Sequence, residues 1–295
     1  MVEVYAEIDS VYVDALEEIF FEEDAGESRW VISQKTNNDP YVLQGFFDSI
    51  EEARLAWGKL NGNFEQFPTP QFRQIKDEDW QNSYKAFLKP WHCGPIHWVP
   101  VWEEGHYNIP ANEHAIWMDA GMAFGTGTHE TTQLCAMRLV DIYRNQSKEA
   151  LSQLSLVDAG CGTGILAMTA KLLGFGKVAA FDNDIKAITV AQENLEYNHL
   201  AGQLELFHAD LISGFAGRKA DFIVANILAH VLNEYAENLL QALNPKGVLI
   251  LSGILTREIE LVHARFSETA NRLGIACKLG SRELGEWSDL LLELS

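Results

Sequence analysis

An α/β protein built on a doubly wound, mostly parallel sheet, preceded by a smaller α+β domain, is the fold class the sequence predicts. Three observations carry that expectation. Strand-like and helix-like runs alternate steadily from Leu154 to the end, a glycine-rich turn (GCGTG, 160–164) follows the first of those strands, and the first 76 residues read β-α-β-β-α-β. At 295 residues and 47% hydrophobic content, the chain can bury a core in each of two domains.

In the first domain, residues 1–76, the run 2–8 alternates as a strand and 14–23 is an acidic helical stretch. Strands follow at 29–34 and 41–47, then a helix at 50–60 and a closing strand at 71–75. This is the split arrangement of a ferredoxin-like domain. Such an open sheet suits substrate recognition or dimerisation, and composition does not choose between them. Residues 77–90 read as a connecting helix, with capping acids at its start and Pro90 at its end.

The second domain, residues 91–295, opens with strands at 95–102 and 115–119 around a loop. Short apolar or β-rich runs at 156–159, 177–181, 204–208, 221–225 and 248–252 are strands, and 287–294 is a final one. Helical patterns at 165–173, 185–198, 228–243 and 257–273 separate most of them, which makes the domain Rossmann-like. No internal repeat or low-complexity segment interrupts the order.

Lys and Arg number 22 against 42 Asp and Glu, a formal charge of −20. That field repels the phosphate backbone of nucleic acid and favours a basic protein partner. The apolar runs are too short to span a bilayer, and MVEVYAEIDS lacks the basic-then-apolar order of a signal peptide, so a cytoplasmic location is expected. Cys93, Cys135, Cys161 and Cys277 are scattered, which argues against a zinc or disulfide framework; no metal is expected.

VDAGCGTGI (157–165) lies where the first strand of the large sheet turns into its first helix, so Gly160 and Gly162 let a ligand approach the backbone at a helix N-terminus. The dinucleotide fingerprint G-x-G-x-x-G is not met: counted from Gly160, the third glycine falls one position early, at Gly164. Asp182, 22 positions beyond Gly160, ends the next strand and can accept both hydroxyls of a ribose. After the third strand, His208-Ala-Asp210 offers Asp210 to an adenine amino group. The ordered set describes an S-adenosylmethionine pocket.

Asn226 ends the fourth strand, beside that crevice, where its carbonyl can align a nitrogen nucleophile; capping the following helix is its plainer role. No aromatic platform follows it, which disfavours a flipped base. AFGTGTHETT (123–132) ends without the Gly-Lys-Ser/Thr of a phosphate loop, and His129 has no ligand partner at i+4.

AFGTGTHETT, VDAGCGTGILAMTA, FDND (181–184), VANILA (224–229) and LSGIL (251–255), in that order, resemble the bacterial methyltransferases of ribosomal protein L11, the PrmA family. DEDWQNSYKAFLKPWHCG (77–94) is similar to that family's inter-domain region. The resemblance implies an N-terminal domain that holds the ribosomal protein, and methylation of several lysine ε-amines and the N-terminal α-amine. It further implies that Thr132, Gly160, Asp182 and Asn226 contact S-adenosylmethionine, that Phe124 and His129 line the same pocket, and that Asn226 and Thr132 lie nearest the transferred methyl. Asp-Ala-Gly at 119–121 and Glu130 depart from the family's more usual Asp-Pro-Gly and proline. A methyltransferase of another protein or of a small amine, with the first domain serving dimerisation, is the alternative.

Overall fold

The structure is a computed structural model that describes residues 2–22, 29–34, 40–64, 66–74, 89–118 and 129–295. The chain divides into two compact units, Met1–Phe87 and Leu88–Ser295. Phe124 and most of the connecting helix expected over 77–90 lie outside the described residues.

The first unit runs β1 (Val2–Ile8), α1 (Val13–Glu22), β2 (Trp30–Ser33), β3 (Tyr41–Phe47), α2 (Ile50–Asn61) and β4 (Gln71–Gln74). Its sheet order is β2-β3-β1-β4 with every neighbour antiparallel, so the two strands that lead into helices lie side by side with the others in the manner of a split β-α-β unit. Val4, Leu16, Leu43, Ala53 and Leu60 fill its core, and Trp30 meets Phe47 edge-on. Ser49 caps α2 by accepting the Glu52 amide at 3.1 Å.

The second unit opens with β5 (Trp91–Cys93), β6 (Ile96–Pro100) and β7 (His114–Met118), a three-stranded sheet in which β6 pairs parallel to β7. Next come α3 (Glu130–Arg144), α4 (Lys148–Leu151), β8 (Ser155–Ala159), α5 (Ile165–Leu173), β9 (Lys177–Asp182) and α6 (Ile185–Tyr197). β10 (Glu205–His208), β11 (Ala220–Asn226), α7 (Ala229–Glu234), α8 (Ala236–Gln241), β12 (Leu243–Leu255), α9 (Ile259–Leu273), β13 (Cys277–Leu284) and β14 (Trp287–Leu294) complete it.

The large sheet is ordered β10-β9-β8-β11-β12-β14-β13. β8 to β12 are mutually parallel, and β14 pairs antiparallel with both β12 and β13, so β14 alone runs against the rest. Both faces are covered, one by a core that includes Leu139 and Met168, the other by one that includes Leu239 and Phe266. The strand order reverses between β8 and β11, and at such a switch point the crevice beyond the strand ends receives ligands.

Beyond the short β5 and α4, which the sequence expectation lacks, three elements differ from it. The helix expected over 228–243 is two, broken at Tyr235; beside the break Arg265 Nε donates to the Asn233 carbonyl at 2.9 Å. β12 is longer than its apolar run and carries a bulge at Gly253, whose φ is +82° and whose added Cβ would stand 2.4 Å from the Ile227 carbonyl oxygen. β13 is an edge strand of alternating, largely polar residues that reads as loop. Among the described residues no helix is long and apolar enough to cross a membrane.

Candidate active site

β8 delivers the chain into a glycine turn at its carboxyl end. Gly160, Gly162 and Gly164 all take left-handed φ, +73°, +52° and +78°, which lets the turn close tightly before α5. The Gly160 and Cys161 amides donate to the Phe181 carbonyl at 2.9 and 3.0 Å. Asp182, at the end of β9, accepts the Gly162 amide on one carboxylate oxygen at 2.9 Å and the Asp184 amide on the other at 3.0 Å. The acid therefore ties the glycine turn to its own turn, and each oxygen keeps a further lone pair for a ligand hydroxyl. Gly164 begins α5 with no side chain of its own to cap it, so the amides ahead of Ala167 are on offer at the helix start.

Beneath the turn, Asp158 is buried and accepts the Ala167 amide of α5 at 2.9 Å. Desolvation pushes its pKa up from 3.8 to about 7; the Ala167 bond opposes that rise and the nearby Asp182 charge adds to it. Asp210 follows β10 at the surface. One of its oxygens accepts from the Ile212 and Ser213 amides and the Ser213 hydroxyl, at 3.0, 2.6 and 2.7 Å, and the Ser213 backbone bond leads the causes that lower its pKa. Its other oxygen makes none of these bonds.

Across the crevice, Asn226 ends β11 and its Nδ2 donates to Thr132 Oγ1 at 3.3 Å. Thr132 lies in the first turn of α3 and is buried. Asn226 does not cap the helix that follows it, since α7 starts from Leu228 with no side-chain cap. Its Oδ1 is buried with no hydrogen-bond partner among the described residues, an arrangement that costs about 1–3 kcal/mol until something donates to it. His129 is the N-cap of α3: Nδ1 accepts the Thr131 amide at 3.3 Å and stands 2.8 Å from the Thr131 hydroxyl. Burial lowers its pKa, with Glu130 opposing, so the neutral ring that can accept is favoured.

Thr132, His129, Gly160, Gly162, Asp182 and Asn226 thus border one end of one sheet, with Asp210 further out beyond β10. Two contributors were not singled out from the sequence. Trp287 of β14 meets the His129 ring edge-on at 5.0 Å between centroids, and Ile227 Cγ2 would lie 2.6 Å from a Cβ added at Gly160. Residue type gave no signal for either: Trp287 opens β14 and Ile227 follows β11, each far in sequence from the residue it meets. No group of three His, Cys, Asp or Glu side chains placed to hold a metal occurs among the described residues.

The switch point, the glycine turn at the helix start and the ribose-competent acid fit S-adenosylmethionine, and together with the fold they define a class I S-adenosylmethionine-dependent methyltransferase. A family model described as ribosomal protein L11 methyltransferase (PrmA) matches residues 6–281. The ribosomal protein L11 methyltransferase of Thermoanaerobacter pseudethanolicus is 36% identical over 282 residues, covering 94% of this chain and 83% of the relative. That of Alkaliphilus metalliredigens is 39% identical over 222 residues, 75% of this chain and 65% of the relative's length. A crystal structure of ribosomal protein L11 methylase from Lactobacillus delbrueckii subsp. bulgaricus is similar at a TM-score of 0.57 and 30% identity, covering 67% of this chain and 93% of that one. The chain belongs to the ribosomal protein L11 methyltransferase family.

Proposed function

We propose that this methyltransferase acts in the cytoplasm on ribosomal protein L11, methylating several lysine ε-amines and the N-terminal α-amine, with the first unit holding the substrate. The relatives' names support the substrate, and the charge of −20 suits a basic protein. The observation that carries the amine chemistry is Asn226 Oδ1, buried beside Thr132 with no hydrogen-bond partner among the described residues.

S-adenosylmethionine supplies an electrophilic methyl on a sulfonium. The chain's own part is to align a nitrogen lone pair with it. Asn226 Nδ2 is already spent on Thr132 Oγ1, which fixes the amide so that Oδ1, a pure acceptor, faces the incoming amine N–H. An ammonium has no lone pair, and deprotonating a lysine of pKa 10.4 at neutral pH costs about 4–5 kcal/mol. A dry crevice beside a cationic cofactor favours the neutral amine, so positioning dominates and a strong base is not required.

Incubation with labelled S-adenosylmethionine and a large-subunit protein extract, followed by mass spectrometry, tests the substrate. Label on L11 amines supports the reading; label only on other proteins or small amines overturns it. Asn226→Ala should lose turnover by about 10- to 100-fold while still binding cofactor, as expected when a positioning contact is removed.

A further inference from the structure

We propose that His208 is a positioning residue for the nucleoside end of the cofactor, acting through the backbone of Asn183. The proposal rests on the reading of the 182–184 turn as the ribose edge of the crevice.

The parallel ladder between β9 and β10 ends at the pair Asp182 and His208, and the last backbone bond across it runs from the Ala209 amide to the Asp182 carbonyl at 3.0 Å. Beyond that point the turn leaves the sheet. Two bonds within the turn shape it: Asp182 Oδ1 takes the Asp184 amide, and Asp184 Oδ1 takes the Lys186 amide at 2.8 Å to cap α6. Neither fixes the turn relative to β10. His208 does so, because its Nε2 lies 2.9 Å from the Asn183 carbonyl oxygen. A carbonyl can only accept, so Nε2 carries the proton and His208 donates. The ring therefore pins the peptide between the ribose acid and the cap of α6, at the place where the nucleoside must lie if Asp182 holds its hydroxyls.

A core role does not explain the residue. His208, Asn183 and Asp184 are all exposed, and the sheet at this point is already closed by backbone. Surface substitutions away from special contacts change stability little. What His208→Ala removes is one bond that preorganises the turn, and preorganisation is read out in affinity.

The test uses the full chain and calorimetry with S-adenosylhomocysteine, alongside steady-state methyl transfer. His208→Ala should weaken binding by about three- to tenfold, the range one net hydrogen bond covers. It should raise KM for the cofactor by a similar factor, leave kcat at saturating cofactor in place, and keep the melting temperature of the free protein within about 2 °C. His208→Gln, whose side-chain amide can donate from nearly the same place, should recover most of the affinity. Binding by His208→Ala equal to the parent, a fall in kcat with KM unchanged, a marked loss of melting temperature, or no recovery in His208→Gln would each overturn the proposal. Asp182→Ala separates the two levels. If it also binds like the parent, the cofactor reading fails; if it binds weakly while His208→Ala does not, only the role of His208 fails.

Discussion

The two ends of the crevice are made in different ways. The end proposed for the nucleoside is local: Gly160, Gly162, Gly164 and Asp182 come from one strand–turn–helix–strand stretch, and most of its bonds are backbone amides closing on an adjacent turn or on one carboxylate. The end proposed for the methyl acceptor is assembled from afar. Thr132 and Asn226 are 94 positions apart, and α3, which carries Thr132, is anchored by Arg138 to Asp289 of β14 across 151 positions. A local site is set as soon as its turn forms, whereas the distant one depends on a hairpin made by the last residues of the chain.

The largest test of that contrast is the anchor. Arg138 Nε and Nη2 donate to the two oxygens of Asp289 at 2.8 and 2.6 Å, and both residues are buried. Arg138→Ala leaves the Asp289 carboxylate with the Arg282 amide but without its cation, and should cost about 3–5 kcal/mol. Urea denaturation measures the loss. Replacing both partners with apolar residues, Arg138→Met with Asp289→Leu, should recover most of it. If Arg138→Ala unfolds like the parent, β14 is not what holds α3.

Next in size is the point where the two ends touch. Gly160→Ala places a Cβ 2.6 Å from Ile227 Cγ2, the residue after Asn226, and forces a side chain into left-handed φ. About 1–3 kcal/mol of strain is expected, seen as roughly 5- to 150-fold weaker cofactor binding if the turn opens to relieve it. Ile227→Ala in the same chain should return the part due to the collision and not the part due to φ. Full recovery would mean that backbone strain contributes nothing.

This contrast also explains what was legible in the sequence. The glycine turn, Asp182 and the strand–helix alternation around them are written in contiguous residues, and spacing alone places them. β8, α5 and β9 accordingly fall at or within a residue of expectation. Asn226 could be placed at a strand end, but its bond to Thr132 could not, since no periodicity links residues 94 positions apart. Trp287 and the Arg138–Asp289 pair were invisible for the same reason: an arginine in an amphipathic helix reads as surface until a strand closes over it. β13 was missed because an edge strand with one face in water lacks the apolar run that marks its neighbours, and the break at Tyr235 because the run 228–243 holds no Gly or Pro to mark it.

Asp158 offers a subtler probe of the local end. An unfolded aspartate releases its proton near pH 3.9, whereas the folded one holds it to about 7. Between those values the native state binds more protons than the unfolded state. The stability this contributes is therefore complete below about pH 4 and is lost as pH rises through 7. Asp158→Asn keeps an acceptor for the Ala167 amide and has no proton to release. The difference in unfolding free energy between parent and variant should drift against the parent from pH 4.5 to 7.5, then flatten. A constant difference across that range would show that the buried acid does not titrate there.

The smallest effect expected concerns His129, and it sharpens the contrast most. The family resemblance puts this residue in the cofactor pocket, while the structure gives its Nδ1 a job at the start of α3. Because burial lowers its pKa below 6.5, the neutral ring is the folded form; its contribution is present above the unfolded pKa and lost as pH falls through the folded one, when Nδ1 is protonated and can no longer accept. Asparagine is a better N-cap and does not titrate, so His129→Asn should change stability by less than about 1 kcal/mol at pH 8 and remove part of the acid-side decline. Cofactor affinity then decides what else the ring does. If His129→Asn binds S-adenosylhomocysteine like the parent, His129 serves the acceptor end alone, by holding the turn that carries Thr132. If affinity falls at pH 8, where the cap is intact in both, the ring also touches the cofactor, and the two ends of the crevice share a residue.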